Sequence, residues 1–298
     1  MEAGCIMKTL AVHLHIHYKE QLNEILSKLA NLQGIDYDLF VTVTDNDNQV
    51  INKIVAFKSD AKVMCVENRG YDIGPFIEFL HCINLDDYQY VLKVHTKAKH
   101  SYNYTHLNNM RFDNTLWGKV LWDALLATPK RVQKDMQILQ NPQIGMLSSK
   151  YCINKEERNY KKLLGQINKK LVELKLNKTD EPEFVAGSMF YVKSKLLKPL
   201  LNMQISDFAL TDAEVKEGTL AHVVERILGV IVKEQGYKIY GVNDFYPRFL
   251  CWKAALKRFV YQRKVTQNGK LLIKVLKLPV YSKKYKERNK NEIFTVVK

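Results

Sequence analysis

AKVMCVENRGYDIGPF, residues 61–76, sets a short apolar strand directly against a polar, glycine-bearing turn and the start of a helix. Ala61–Val66 reads as the strand, Glu67-Asn68-Arg69-Gly70 as the turn, and Ile73–Cys82 as the helix. The same alternation extends on both sides. Upstream, Thr9–His17 (TLAVHLHIH) has strand periodicity, and Tyr18–Asn31 places Leu22, Ile25, Leu26 and Leu29 at helical spacing. Asp38–Thr44 (DLFVTVT) is a β-branched strand that ends in the polar run Asp45-Asn46-Asp47-Asn48. Downstream, Tyr88–His95 (YQYVLKVH) is a further strand. Helices interleaved with apolar strands predict an α/β fold with a parallel sheet covered on both faces. Such sheets bind ligands beyond the carboxyl ends of their strands. Asp45, the Asn68–Asp72 turn and His95–Lys97 all fall at those ends.

The second half continues with expected helices over Leu116–Leu126 and Pro129–Leu139 and a strand over Ile144–Ser148. Tyr151–Lys178 is a lysine-rich helical stretch, and Glu183–Val192 returns to sheet character. Glu217–Glu234 is an amphipathic helix and Tyr237–Val242 a last strand.

Composition bounds the class. The chain has 298 residues, 46% hydrophobic and 26% charged, the profile of a globular protein and not of a disordered one. No stretch approaches the ~20 apolar residues of a membrane-spanning helix. Residues 1–10 lack a signal-peptide layout, so a cytoplasmic location is expected. Cys5, Cys65, Cys82, Cys152 and Cys251 are odd in number and form no Cys-x-x-Cys, which predicts buried reduced thiols and argues against a disulfide frame or a zinc site. After Trp252 there are fourteen Lys and Arg against Glu287 and Glu292, a net +12, which leaves +3 of the total +15 for the body. This divides the chain into a 1–252 domain and a basic, partly amphipathic extension over 253–298. In the extension Phe259, Val260, Leu271, Leu272, Ile273, Val275 and Leu276 interleave with the cations. An anionic membrane surface suits such a segment. Nucleic acid is the rival partner for the same charge, and a solvated tail is the plain alternative.

Five segments carry candidate chemistry. In the turn after residue 66, Gly70 permits close backbone approach, helix-start N–H groups suit phosphate, Arg69 suits a diphosphate and Asp72 suits hydroxyls. A tight turn with Asp72 as helix cap is the structural alternative. His95 and Lys97 can stabilise an anionic leaving group, or be ordinary loop residues. His13, His15 and His17 share one face, either as metal ligands or as the polar face of a half-buried strand. Gly187 and Ser188 interrupt an apolar strand, marking ligand approach or a packing bulge. His222 and Glu225 share one helix face, with Glu225 a candidate general base or an exposed carboxylate beside Arg226.

Taken in order, VENRGYDIGPF (66–76), YVLKVHTK (90–97), NPQIGML (141–147), FVAGSMFYV (184–192) and GTLAHVVERILG (218–229) resemble the rhamnan synthesis protein F family across roughly Leu10–Tyr240. The resemblance implies a GT-A-like, Rossmann-type nucleotide-sugar-binding sheet with flanking helices, followed here by the basic tail. It implies a glycosyltransferase acting with inversion, in the named case moving L-rhamnose from dTDP-rhamnose to a lipid-linked polysaccharide. The partners would be a nucleotide-sugar donor, a lipid-linked glycan acceptor and, through the tail, the inner face of the cell membrane. A nucleic-acid-binding protein and a non-catalytic sugar-binding assembly subunit are the other two readings. By the resemblance Asp45 and Asn68, Arg69, Gly70 and Asp72 face the nucleotide. His95, Thr96 and Lys97 stand where GT-A enzymes carry a metal-binding Asp-x-Asp. That departure leaves Mg or Mn dependence open and points to cationic side chains at the diphosphate. Gly187, Ser188 and His222 would line the pocket. Glu225, or failing it Asp72, would be the base.

Overall fold

The computed structural model describes residues 7–97, 104–107, 110–155, 160–211, 218–242, 256, 259–265, 270–276 and 278–284. The chain forms two compact units, Met1–Asp244 and Phe245–Lys298.

The first unit opens with β1 (Lys8–Ile16), α1 (Leu22–Leu29), β2 (Tyr37–Val43), α2 (Asn48–Phe57), β3 (Lys62–Cys65), α3 (Ile73–His81) and β4 (Tyr88–His95). A small hairpin of β5 (Tyr104–Leu107) and β6 (Met110–Asp113) leads into α4 (Asn114–Leu126), α5 (Pro129–Leu139) and β7 (Ile144–Ser149). Then come β8 (Ile153–Asn154), α6 (Tyr160–Glu173), β9 (Phe184–Val185), β10 (Phe190–Lys193), α7 (Leu220–Glu234) and β11 (Lys238–Val242). Seven strands form one sheet in the order β11-β7-β10-β4-β1-β2-β3. All neighbours run parallel except at β10, which is antiparallel to both β4 and β7.

Apolar side chains on both faces of β1 explain this layering. Leu10, Ala11, Val12 and Leu14 are fully buried, as a strand sandwiched between helices must be. On one face His13 stacks on Phe79 of α3 at 4.8 Å between ring centroids, and Phe79 meets Phe40 of β2 at 5.2 Å. On the other, the α4 indole of Trp122 donates to the His95 carbonyl at 2.9 Å. Helix α7 is packed closely on its neighbours: Gly229 sits so close to the Glu183 carbonyl that a Cβ there would collide with it.

Several expectations are corrected. Helix α2 was not anticipated: the polar run after β2 is its start, with the Asp47 carboxylate accepting from the N–H groups of Gln49 and Val50. The sheet stretch at 183–192 is two short strands separated by the Gly187–Ser188 turn. Among the described residues the lysine-rich stretch at 151–178 is helical over Tyr160–Glu173 and includes β8. His13 and His15 do not form a polar outer face, because α3 covers them; they are 0% and 3% exposed, while His17 lies beyond the strand. Cys152 is buried, but Cys65 and Cys82 are exposed free thiols; Cys5 and Cys251 lie outside the described residues. Among the described residues, no helix is long and apolar enough to cross a membrane.

The second unit holds an antiparallel sheet of β12 (Tyr261–Val265), β13 (Lys270–Val275) and β14 (Leu278–Lys284). Tyr261, Leu276 and Leu278 are 48%, 53% and 67% exposed. Of the basic residues counted in the extension, Lys253, Lys257, Arg258, Lys277, Lys286, Arg288, Lys290 and Lys298 lie outside the described residues.

Candidate active site

The chain leaves β1 toward β2 on one side and reaches β4 on the other, so the sheet's topological switch point lies between β1 and β4. Crevices outside the carboxyl ends of strands at such a point are where open α/β sheets bind ligands. His15 and His95 are register partners at the ends of these two strands. Because β10 is reversed, its beginning arrives at the same edge and brings Gly187 and Ser188 with it.

The centre of this edge is Lys93, whose side chain is 0% exposed. Its ammonium donates to Asp72 Oδ2 and, at 3.1 Å each, to the carbonyl oxygen and the hydroxyl of Ser188. The Ser188 hydroxyl in turn donates to Asp72 Oδ2. Asp72 occupies the N-cap position of α3 but makes no capping hydrogen bond, so the simple helix-cap reading does not hold. Burial works against the Asp72 carboxylate, yet its interactions with His95, Lys93 and Lys97 outweigh burial and hold Asp72 well below the usual carboxylate range. Burial lowers the Lys93 ammonium, with Asp72 opposing. Burial also keeps His95 well below its ordinary pKa, so the imidazole is neutral at pH 7. His95 Nε2 is 3.3 Å from Lys97 Nζ and 3.6 Å from Asp72 Oδ1. Lys97 is the one cation of this cluster that makes no ion pair, a statement confined to the described residues.

The turn at 187–188 joins this cluster to α7. Gly187 and Ser188 both have left-handed backbone, φ 83° and 48°. For Ser188 that conformation carries strain, and its bonds to Asp72 and Lys93 hold it there. Gly187 is pressed against α4, where a Cβ would come within 2.9 Å of Leu121 and 3.0 Å of Trp117. Its N–H donates to Glu225 Oε1 at 2.9 Å, and Arg226 donates to Glu225 Oε2 at 2.9 Å. Asp72, Lys93, His95, Lys97, Gly187, Ser188 and Glu225 thus form one connected network. His222 joins through Tyr71: their rings meet edge-on at 5.6 Å, and His222 Nδ1 is 2.7 Å from the Thr219 hydroxyl.

Other expected residues are placed differently. Thr96 is 3% exposed and its hydroxyl accepts from the N–H groups of His17 and Tyr18, so it ties two loops together. Asp45 is 57% exposed and pairs with Lys19 at 2.8 Å, away from the network's contacts. Arg69 pairs with Glu67 and donates to the Phe208 carbonyl at 3.0 Å. The Asn68 carbonyl accepts from Thr211 N–H. The turn was expected to cradle phosphate with its N–H groups, but those donors are engaged. Gly70 N–H goes to Ala209, Tyr71 N–H to the Thr211 hydroxyl, and the Ile73 and Gly74 N–H groups to the Gly70 carbonyl. Pro75, next in the helix, has none.

Lys93 is the residue that sequence reasoning missed. A lysine inside YVLKVH, in a strand buried on both faces, needs a buried anion, and that signal was present in the sequence.

A divalent cation does not fit this donor set. Two ammonium groups crowd Asp72, the one carboxylate near His95 among the described residues, and His13 Nε2 and His15 Nδ1 are both engaged by the Thr42 hydroxyl, at 2.9 and 3.0 Å. Among the described residues no three His, Cys, Asp or Glu side chains are disposed to hold a metal.

A family model described as rhamnan synthesis protein F matches residues 2–237. The chain is similar to the uncharacterized protein WxcX from two strains of Xanthomonas campestris pv. campestris, at 28% identity over 243 residues. The match takes in 78% of this chain and 32% of WxcX, so the chain spans about a third of the length of those relatives. Among solved structures, S. aureus TarS 1-349 is similar over 79% of this chain and 58% of its own, with 11% identity and a TM-score of 0.40. The 4-diphosphocytidyl-2C-methyl-D-erythritol synthase of Anaerococcus prevotii is similar over 87% and 100%, with 11% identity and a TM-score of 0.42. Glucosyl-3-phosphoglycerate synthase of Mycobacterium tuberculosis is similar over 92% and 89%, with 11% identity and a TM-score of 0.36.

Proposed function

The chain belongs to the rhamnan synthesis protein F family, and on that premise we propose that it is a glycosyltransferase using a nucleotide-sugar donor at the carboxyl edge of its sheet. The observation that carries this reading is the continuous contact path from Lys97 through His95, Asp72, Lys93 and Ser188 to Gly187 and Glu225 at the switch point. It sets an unpaired cation and a carboxylate on one edge, the two charges that sugar transfer from a diphosphate requires.

In the proposed reaction the acceptor hydroxyl oxygen attacks the anomeric carbon. The new C–O bond forms as the bond from that carbon to the diphosphate oxygen breaks. The electron pair leaves with the nucleoside diphosphate, which Lys97 stabilises. The hydroxyl proton passes to Glu225, and attack from the face opposite the diphosphate inverts the anomeric centre. Asp72 is the weaker choice of base, because its surroundings hold it well below the usual carboxylate range and so lower its proton affinity. Its role is to keep Lys93 and Ser188 in place.

L-rhamnose as the sugar, a lipid-linked glycan as acceptor, and attachment of the basic second unit to the inner membrane face complete the proposal. The test is release of nucleoside diphosphate from a panel of dTDP-rhamnose, UDP-glucose, UDP-GlcNAc and GDP-mannose, with Lys97→Ala and Glu225→Gln alongside. Turnover of one donor that both substitutions suppress supports the assignment. Wild-type turnover in both variants removes it.

A further inference from the structure

Helix α7 is closed to solvent through its middle except at one notch. From Ala221 to Val232 every residue is buried apart from His222 and Glu225, which are partly exposed and lie three residues apart on one face. His222 and Glu225 thus share the partly open stretch of this helix. The ring meeting His222 is that of Tyr71, half-buried at 5.6 Å between centroids.

Tyr71 is held there at a backbone cost. Its φ is 57°, in the left-handed region that disfavours residues with a Cβ, and it follows Gly70 at φ 64°. The strain is locked by neighbours: Gly70 N–H donates to Ala209, Tyr71 N–H to the Thr211 hydroxyl, and Gly70 packs so tightly on Phe208 that a Cβ would lie 2.6 Å from its ring. Glycine or asparagine would take this conformation more easily. A tyrosine kept in a strained turn beside the site implies a use for its ring.

We propose that Tyr71, with His222, forms the platform on which the acceptor sugar lies, a pyranoside ring set with its C–H face against the tyrosine. This rests on the reading of Glu225 as the base. A base must be within hydrogen-bond reach of the hydroxyl it deprotonates, so the side chains sharing its notch line the acceptor's place. The diphosphate needs the cations, which lie on the Lys97 side. An aromatic face carries negative charge density that attracts polarised C–H groups.

The test uses two probes with the full chain: methyl α-L-rhamnopyranoside and methyl β-D-glucopyranoside by saturation-transfer NMR, and dTDP and UDP by calorimetry. Tyr71→Phe keeps the ring. Tyr71→Gly and Tyr71→Asn remove it while suiting the left-handed turn, so their melting temperatures stay level or rise. Glycoside binding is expected in wild type and Tyr71→Phe, and on the order of tenfold weaker in the other two. Nucleotide binding is expected to be unchanged in all four. Undiminished glycoside binding in Tyr71→Gly overturns the proposal, as does equal loss of nucleotide binding, which would put Tyr71 at the donor. Failure of both glycosides to bind wild type overturns it too. If glycosides bind in a Tyr71-dependent way but no donor is turned over, the platform stands and the transferase reading fails.

Discussion

Lys93 Nζ lies 3.1 Å from both the carbonyl oxygen and the hydroxyl of Ser188, a residue 95 positions further along the chain. With Asp72 as the third partner, a fully buried ammonium has its hydrogen bonds met by three groups from two separate segments. This is a costly place for a charge, and its partners decide whether the fold tolerates it.

Lys93→Met and Asp72→Asn should each lower stability, by about 3–5 kcal/mol, because each leaves a buried charge without its counterion. The double substitution should cost clearly less than the two single losses added. Urea unfolding of the four proteins gives the coupling directly, and simple additivity would show that the pair is not a unit.

Stability should fall as pH drops from about 6.5 toward 4. Burial lowers the folded-state pKa of His15 to about 4, and holds His13 and His95 well below the ordinary value of 6.5. The unfolded chain binds protons on these rings first, so the stabilisation is complete above about 6.5 and erodes below it. His15 alone accounts for about 3 kcal/mol across that window. Unfolding midpoints that do not change between pH 7.5 and 4.5 would show the histidines to be accessible.

Lys97→Ala should leave the melting temperature nearly unchanged, since its ammonium makes no ion pair among the described residues, while turnover falls by roughly 10²-fold. Glu225→Gln should lower turnover by about 10²–10⁴-fold with donor affinity retained. Steady-state rates and donor titrations separate these two signatures.

Two glycines should respond in opposite directions. Gly165 lies inside α6 with open space where a Cβ would go, so Gly165→Ala should stabilise by about 0.5–1 kcal/mol. Gly229→Ala drives a methyl into the Glu183 carbonyl and should cost more than about 2 kcal/mol. Thermal unfolding of both variants checks the helix packing.

The sheet was legible in the sequence because its strands are apolar on both faces and end in polar residues. Ile73–His81, Tyr88–His95 and Pro129–Leu139 fall within a residue of where periodicity sets them. Helix α2 was not legible as a helix, since Asp45–Asn48 reads as a loop unless Asp47 is taken as a cap with Val50 and Ile54 one turn apart. The candidate site was legible only in outline. Strand periodicity assigns Lys93 a face but cannot say that Asp72 and Ser188 will meet it. Glycine followed by a helix resembles a phosphate turn, and Pro75 at its third helical position was the sign that the donors were few. Thr96 looked like a ligand group because loop-to-loop hydrogen bonds leave no trace in spacing.

The reversal of β10 has a consequence for the nascent chain. Asp72, Lys93, Ser188 and Glu225 come from opposite ends of the first unit, and the contacts between them close long loops, the slowest kind to form. While a ribosome is still translating α6, the emerging protein can already pair β1 with β2 and β4. In that interval Lys93 lacks the partner that β10 brings, and a chaperone that shields the half-built edge would be meeting the protein at its most exposed moment.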